Sequence, residues 1–80
     1  LEERLERETK KWMERIKKME IKEVNEVGKW ITENIEAYTS DASYFLEKRD
    51  LIRAFECVVW AWAFLEIGAE IGAVRTEFKT

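Results

Sequence analysis

Residues 48–72 read KRDLIRAFECVVWAWAFLEIGAEIG, and this stretch decides the fold. Lys48 and Arg49 suit the end of one helix, where cations meet the negative end of the helix dipole, and Asp50 suits the cap of the next. From Leu51 onward apolar residues recur at helical spacing, with Ala54, Val58, Ala61, Leu65 and Gly68 on one face. Ala54, Ala61 and Gly68 are spaced by seven, so they stack on one side and let another helix backbone come close. Gly72 stands where glycine can take the left-handed conformation that ends a helix. The spacing predicts a helix over about 51–72, joined by a tight turn to an antiparallel neighbour.

Upstream, Val27, Ile31, Ile35, Tyr38, Ala42 and Phe45 hold one helical phase. They predict a second helix over about 25–48 with Asn25 as a cap. Thr39, Ser40 and Asp41 offer an alternative, in which they end that helix and cap a fourth. Leu5, Trp12, Ile16 and Met19, with Thr9 in the gap, form the stripe of a first helix over about 3–20. Glu2, Glu3 and Glu6 near its start and Lys17, Lys18 and Lys22 near its end complement the dipole. Glu6 with Lys10 and Glu14 with Lys18 add i,i+4 pairs worth a few tenths of a kcal/mol each.

After Met19 the stripe loses phase. A new one begins at Ile21 and Val24, displaced by about two residues or roughly 200°. One straight helix cannot bury both, so the chain breaks near residues 20–25. No segment shows the period-two alternation of a strand, and residues 73–80 read as a frayed tail. The expectation is one all-α domain over residues 1–80, a three-helix bundle whose helices 2 and 3 form an antiparallel hairpin.

Composition narrows the function. Eighty residues bury only a thin core. Cys57 is the single cysteine and histidine is absent, so an internal disulfide and the commonest metal ligand are both missing. No cofactor, metal site or catalytic residue is expected. The net charge of −3 argues against a general nucleic-acid partner, which needs clustered Lys and Arg. The first helix interleaves its basic residues with Glu6, Glu8, Glu14 and Glu20, the pattern of a solvated face. The longest uncharged apolar run, Cys57 to Leu65, is too short for a membrane span, and the charged N-terminus does not read as a signal peptide. A lone cysteine fits a cytoplasmic protein. Glu outnumbers Asp and glutamine is absent, a bias common in heat-adapted proteins.

The third helix is apolar on its other face as well. Val59, Trp60 and Ile67 share that face with Glu56 and Glu70, while Arg53 and Glu66 lie at its margins. Either the first helix covers these apolar residues, or they form a contact surface for a protein partner or a second copy of the chain. A polar cluster is also conceivable, with Asp41 and Glu66 facing each other across the hairpin and Tyr38 and Tyr44 one turn either side of Asp41. Two carboxylates without histidine make a weak acid/base or cation site. Cys57 has no neighbouring base or cation in sequence to activate it. Gly68 and Gly72 are not a phosphate loop, because no strand precedes them and no Lys-Ser/Thr follows.

Tyr38, Asp41-Ala42, Tyr44-Phe45, Glu47-Lys48, Asp50, Ala54-Phe55, Trp60-Ala61, Phe64-Leu65-Glu66, Gly68-Ala69 and Gly72 together resemble the archaeal family called domain of unknown function 357. The resemblance runs from Tyr38 to Gly72 without gaps. It departs at Arg49, where the family's turn usually has glycine, at Trp62, where histidine is expected, and at Glu66, which stands for aspartate. It implies a short helical bundle of archaeal origin and no assigned activity. The hairpin is also similar to a single tetratricopeptide unit, with Asp50, Ala54 and Ala61 at that spacing, but no second segment repeats it. Nucleotide-binding helical bundles match less well, because their Arg-x-x-x-x-His motif is absent.

The functional expectation is a small non-enzymatic interaction or accessory module that self-associates, with Val59, Trp60 and Ile67 at its interface. The alternative is a helical domain that binds RNA or a nucleotide.

Overall fold

The computed structural model describes residues 1–78 and contains α1 (Glu2–Lys17), β1 (Met19–Glu23), α2 (Glu26–Glu47), α3 (Leu51–Glu70) and β2 (Val74–Phe78). The hairpin of α2 and α3 is its centre. Asn25 caps α2 by accepting from the Gly28 N–H at 3.0 Å. Asp50 caps α3 by accepting from the Arg53 N–H at 3.3 Å. Thr39 lies inside α2 and donates its hydroxyl to the Ile35 carbonyl at 2.7 Å, so the helix runs through residues 39–41 without a fourth element.

Both hairpin helices end in the same turn. After α2 the Arg49 N–H bonds to the Leu46 carbonyl and the Asp50 N–H to the Phe45 carbonyl; after α3, Gly72 and Ala73 repeat this on Ala69 and Gly68. The turn needs a left-handed residue. Gly72 supplies it at φ 74° and Arg49 at φ 61°.

The hairpin core is the stripe the sequence marks. Ile31, Ile35 and Ala42 of α2 meet Ala54, Val58, Ala61, Leu65 and Gly68 of α3, all of them buried. A Cβ on Gly68 would stand 3.0 Å from Ile31 Cδ1, so the small-residue side brings the helices close. Of the expected α2 stripe, Val24 and Val27 remain exposed.

α1 packs parallel to α3. Met13 is buried beside Ala42 and Val58, and the Trp62 indole meets Trp12 edge-on at 5.6 Å. The Trp62 Nε1–H donates to the Trp12 carbonyl at 3.0 Å. Thr9 is fully buried, with its hydroxyl donating to the Leu5 carbonyl at 2.7 Å, so it fills the stripe's gap without an unpaired group. At the turn end, Arg49 grips Glu6 with two bonds of 2.8 and 3.2 Å.

The fold is not purely all-α. α1 stops at Lys17, and Met19–Glu23 pairs antiparallel with Val74–Phe78, Met19 opposite Phe78 and Glu23 opposite Val74. Residues 74–78, expected to fray, are therefore ordered as a strand; residues 79–80 of that expected tail lie outside the described residues. The alternation was present but short: Met19 and Ile21 in one strand, Val74 and Thr76 in the other, each diluted by charged neighbours. A two-stranded ribbon this small is stable only when docked. Here the docking is specific. Val24 donates to the Ala73 carbonyl at 2.9 Å, and Ala73 and Val74 are buried against the hairpin core. A Cβ on Gly28 would overlap the Ala73 carbonyl oxygen, so glycine is required where the ribbon crosses α2.

Candidate functional site

The outer face of α3 stays open. Ile52, Val59, Trp60 and Ile67 are all exposed, with Trp60 at 53%, and α1 packs on Trp62 rather than across Trp60. The three expected interface residues do not form one cluster. Val59 and Trp60 are consecutive, about 100° apart on the helix, so they point to different sides.

Trp60 leans toward α2. It stacks on Tyr38 at 6.2 Å between centroids, Tyr38 stacks on Phe64 at 5.8 Å, and Phe64 meets Trp30 edge-on at 5.3 Å. This aromatic row tiles the side of the hairpin away from α1. Its outer members, Trp30 and Trp60, are the exposed ones.

Val59 instead lines a groove of about 530 Å³ between α1 and α3. Trp12, Trp62 and Phe55 make its floor, and Ala63, Glu8 and Glu66 its edges. The Trp62 N–H is already bonded to the Trp12 carbonyl of α1, so this indole presents aromatic carbon to the groove. Its two charged lining residues are both acidic, Glu8 on α1 and Glu66 on α3. The solvent side of α1 interleaves exposed Arg4, Arg7, Lys11 and Arg15 with Glu3, Glu8 and Glu14. α3 carries exposed Glu56, Glu66 and Glu70, and no Lys or Arg lies between Arg53 and Arg75. Arg15 lies over the Trp12 ring at 4.6 Å.

The expected polar cluster is distributed over different surroundings. Glu66 sits in the α1/α3 groove, while Asp41 is exposed and acts on Cys57 of the facing helix. No hydrogen bond links Asp41 to Glu66 or to either tyrosine among the described residues. Tyr38 belongs to the aromatic row; Tyr44 packs edge-on against Phe45 with Lys48 over its ring. Burial pushes the Cys57 thiol up, and the nearby Asp41 and Glu56 carboxylates push it the same way. The thiol is thus held protonated at neutral pH and is a poor nucleophile. Among the described residues no three His, Cys, Asp or Glu side chains gather as a metal site would require, and no helix is long and apolar enough to cross a membrane.

Three contributors escaped the sequence reading. Gly28 seats the ribbon, Arg49 tethers α1, and Trp12 with Trp62 builds the groove. Trp12 carried a signal, since it sits in the first helix's apolar stripe. Its partner could not be found from periodicity, because Trp62 lies fifty positions away on the margin of another stripe.

A family model described as "Protein of unknown function (DUF357)" matches residues 4–74. It takes in α1, whose residues alone carried no distinctive pattern. The crystal structure of protein AF1782 from Archaeoglobus fulgidus, assigned to the same family, is 55% identical. It covers 95% of this chain and 97% of its own, with a TM-score of 0.80. No curated protein matches the chain.

Proposed function

We propose that this chain, which belongs to the DUF357 family of proteins of unknown function, is a non-enzymatic interaction module that associates with a second copy of itself through the outer face of α3. One observation carries this reading. Ile52, Val59, Trp60 and Ile67 remain exposed along one helix after the chain has folded. Large apolar side chains that stay exposed on one helix after folding mark a contact surface. Glu56 and Glu70 on the same face explain why the chain does not cover it with its own α1, because burying unpaired carboxylates costs several kcal/mol. An interface keeps such charges at its wet rim and puts the apolar residues at its centre. Closed twofold pairs are the commonest assembly of this kind.

A nucleic-acid reading draws on the aromatic row, since Trp30, Tyr38 and Trp60 present ring faces on which bases stack. It lacks the cations that follow a phosphate backbone, because α3 holds none between Arg53 and its end. Sedimentation over a range of concentrations tests the proposal. The expected result is a dimer that Val59→Glu or Trp60→Glu weakens while the helical circular dichroism is retained. A wild type that stays monomeric at several hundred micromolar overturns it, and salt-dependent retention on RNA by that monomer would favour the nucleic-acid reading.

A further inference from the structure

We infer that the open edge of β1 and the facing side of α2 form a groove that takes up a single extended segment of another protein, which adds to the ribbon as a third strand. This goes beyond the contact proposed for α3 and lies on different elements. The ladder gives the first observation. The Val24 N–H bonds to the Ala73 carbonyl, and the register then makes Lys22 with Arg75 and Glu20 with Glu77 the next hydrogen-bonded pairs. The main-chain groups of Met19, Ile21 and Glu23 therefore point away from β2. Among the described residues those groups bond to no other main chain. An unpaired edge of this kind is a template for another strand.

What stands beside this edge decides the occupant. Met19 and Ile21 line a groove of about 520 Å³ whose opposite wall is α2. That wall is hydroxylated: Thr32, Thr39, Ser40 and Ser43 fall at helical spacing on one side of α2. Thr32 and Thr39 donate their hydroxyls to the Gly28 and Ile35 carbonyls, which leaves their oxygens able to accept. Buried Ile16 and Ile35 make the floor. An extended backbone carries N–H and C=O groups on both of its edges, and each needs a partner once it leaves water. In this groove one edge meets the open groups of β1 and the other meets hydroxyls. An apolar wall on α2 would have left the second edge unpaired.

The chemistry of the segment follows. Successive side chains of a strand point to opposite faces. One set enters the floor beside Met19 and Ile21, and the other faces water as exposed Glu20 and Lys22 do. The segment therefore alternates apolar and polar residues. Lys17 and Glu36 are the charged residues of the lining, and neither has an ion-pair partner among the described residues. Lys17 stands just before Met19, so an acidic side chain suits that end of the edge. A second copy does not fit, because its own β1 edge lies in the same recess beside α2 and the two edges cannot meet. Strand addition draws affinity from main-chain hydrogen bonds and selectivity from alternate side chains.

Selection of a displayed library of short random peptides on the full chain tests this, with the recovered peptides then made synthetically. The expected peptides alternate apolar and polar residues and carry an acidic residue toward one end. Their addition should shift the amide signals of Met19, Ile21 and Glu23 together with those of the α2 hydroxyl wall. Methylating peptide nitrogens one at a time should cost about tenfold in affinity at alternate positions, where the N–H faces β1. Ser40 is exposed, so Ser40→Trp keeps the helix, fills the groove and should weaken binding by about tenfold or more. Lys17→Glu should move the preference at that end from acidic to basic. Trp60→Glu, on the surface proposed for self-association, should leave peptide binding unchanged, so the two readings fail separately. A library that yields no binder, peptides that shift only amides elsewhere, indifference to main-chain methylation, or full affinity for Ser40→Trp with retained helical circular dichroism would overturn the inference.

Discussion

α3 meets its two neighbours in opposite ways. Against α2 the contact is made of small and aliphatic side chains, Ala42, Ala54, Ala61 and Gly68 among them, and no side-chain hydrogen bond crosses it. Against α1, buried Met13 and Ile16 are joined by larger and polar groups: two indoles, a buried threonine and an indole N–H on a backbone carbonyl, with an arginine fork from the α2/α3 turn on a glutamate. The first seam works by close approach, and any added volume disturbs it. The second works by a few placed pins, each separately removable. A seam of the first kind leaves a periodic trace in sequence, because every residue in it obeys the same rule.

The hardest way to break the contrast is to overfill the close seam. Ala42 has no exposed surface, and Ala42→Leu puts three more carbons between α2 and α3. Overpacking of this kind costs about 1–3 kcal/mol. We expect a cost within that range, read as a lowered urea midpoint, because Met13, Val58 and Trp62 around Ala42 must shift to admit the larger side chain. A midpoint equal to wild type would show that the seam is not close-packed.

Trp62→Phe sharpens the contrast from the other side. It removes the pin to the Trp12 carbonyl and keeps an aromatic ring in the groove. The expected cost is about 1 kcal/mol, since the carbonyl still accepts from its own helix. The loss should be local: backbone amides of α1 exchange with deuterium faster, and those of α2 and α3 keep their protection. Uniform acceleration along the chain would mean that the two seams do not act separately.

Arg49→Gly is expected to have a small effect whose sign depends on salt. Glycine relaxes the left-handed backbone at φ 61° but removes the fork on Glu6. At high ionic strength the ion pair is screened and the backbone gain remains, so the variant should melt above wild type. At low ionic strength the two effects offset each other. A variant that melts lower at every salt concentration would show that the tether outweighs the backbone cost.

The smallest expected effect is one of pH. Hydrogen bonds from Arg49 and Lys10 hold the Glu6 carboxyl at about 2 against an ordinary 4.5. A carboxyl lowered on folding favours the folded state above pH 4.5 and stops doing so as pH falls toward 2. The difference in urea midpoint between wild type and Glu6→Gln should therefore be full at neutral pH and close between these limits. A constant difference would assign it to something other than the carboxyl's charge.

The sequence's reach follows the same division. Ala54, Val58, Ala61, Leu65 and Gly68 announce their burial because they repeat, and Asn25, Asp50 and Gly72 announce helix ends by residue type. Arg49 hides its left-handed turn, since nothing in arginine itself points to one. Gly28 hides its role too, because the group it makes room for is the Ala73 carbonyl at the far end of the chain. Of the surface, Val59, Trp60 and Ile67 were visible as apolar residues on a charged face. Their division between an aromatic row and a groove depends on where α1 lies, which the α1 stripe alone does not fix. Trp62 shows this most clearly. It stands where the resemblance led one to expect histidine, and in this chain the position serves to dock a helix.

The ribbon that ties β1 to β2 also bears on how the chain reaches this shape. Glu23 and Val74, its innermost pair, are about fifty residues apart, whereas the α2/α3 turn brings near neighbours together. Closing a long loop costs chain entropy before any contact rewards it, so pairings between distant residues come late in folding. The hairpin should then be largely formed at the rate-limiting barrier, with the ribbon still open. Substitutions at Ala73 or Val74 would in that case speed unfolding and leave the folding rate nearly unchanged. Ala42 and Ala61 would show the reverse in stopped-flow kinetics, and a ribbon substitution that slows folding as much as it destabilises would place the closure first.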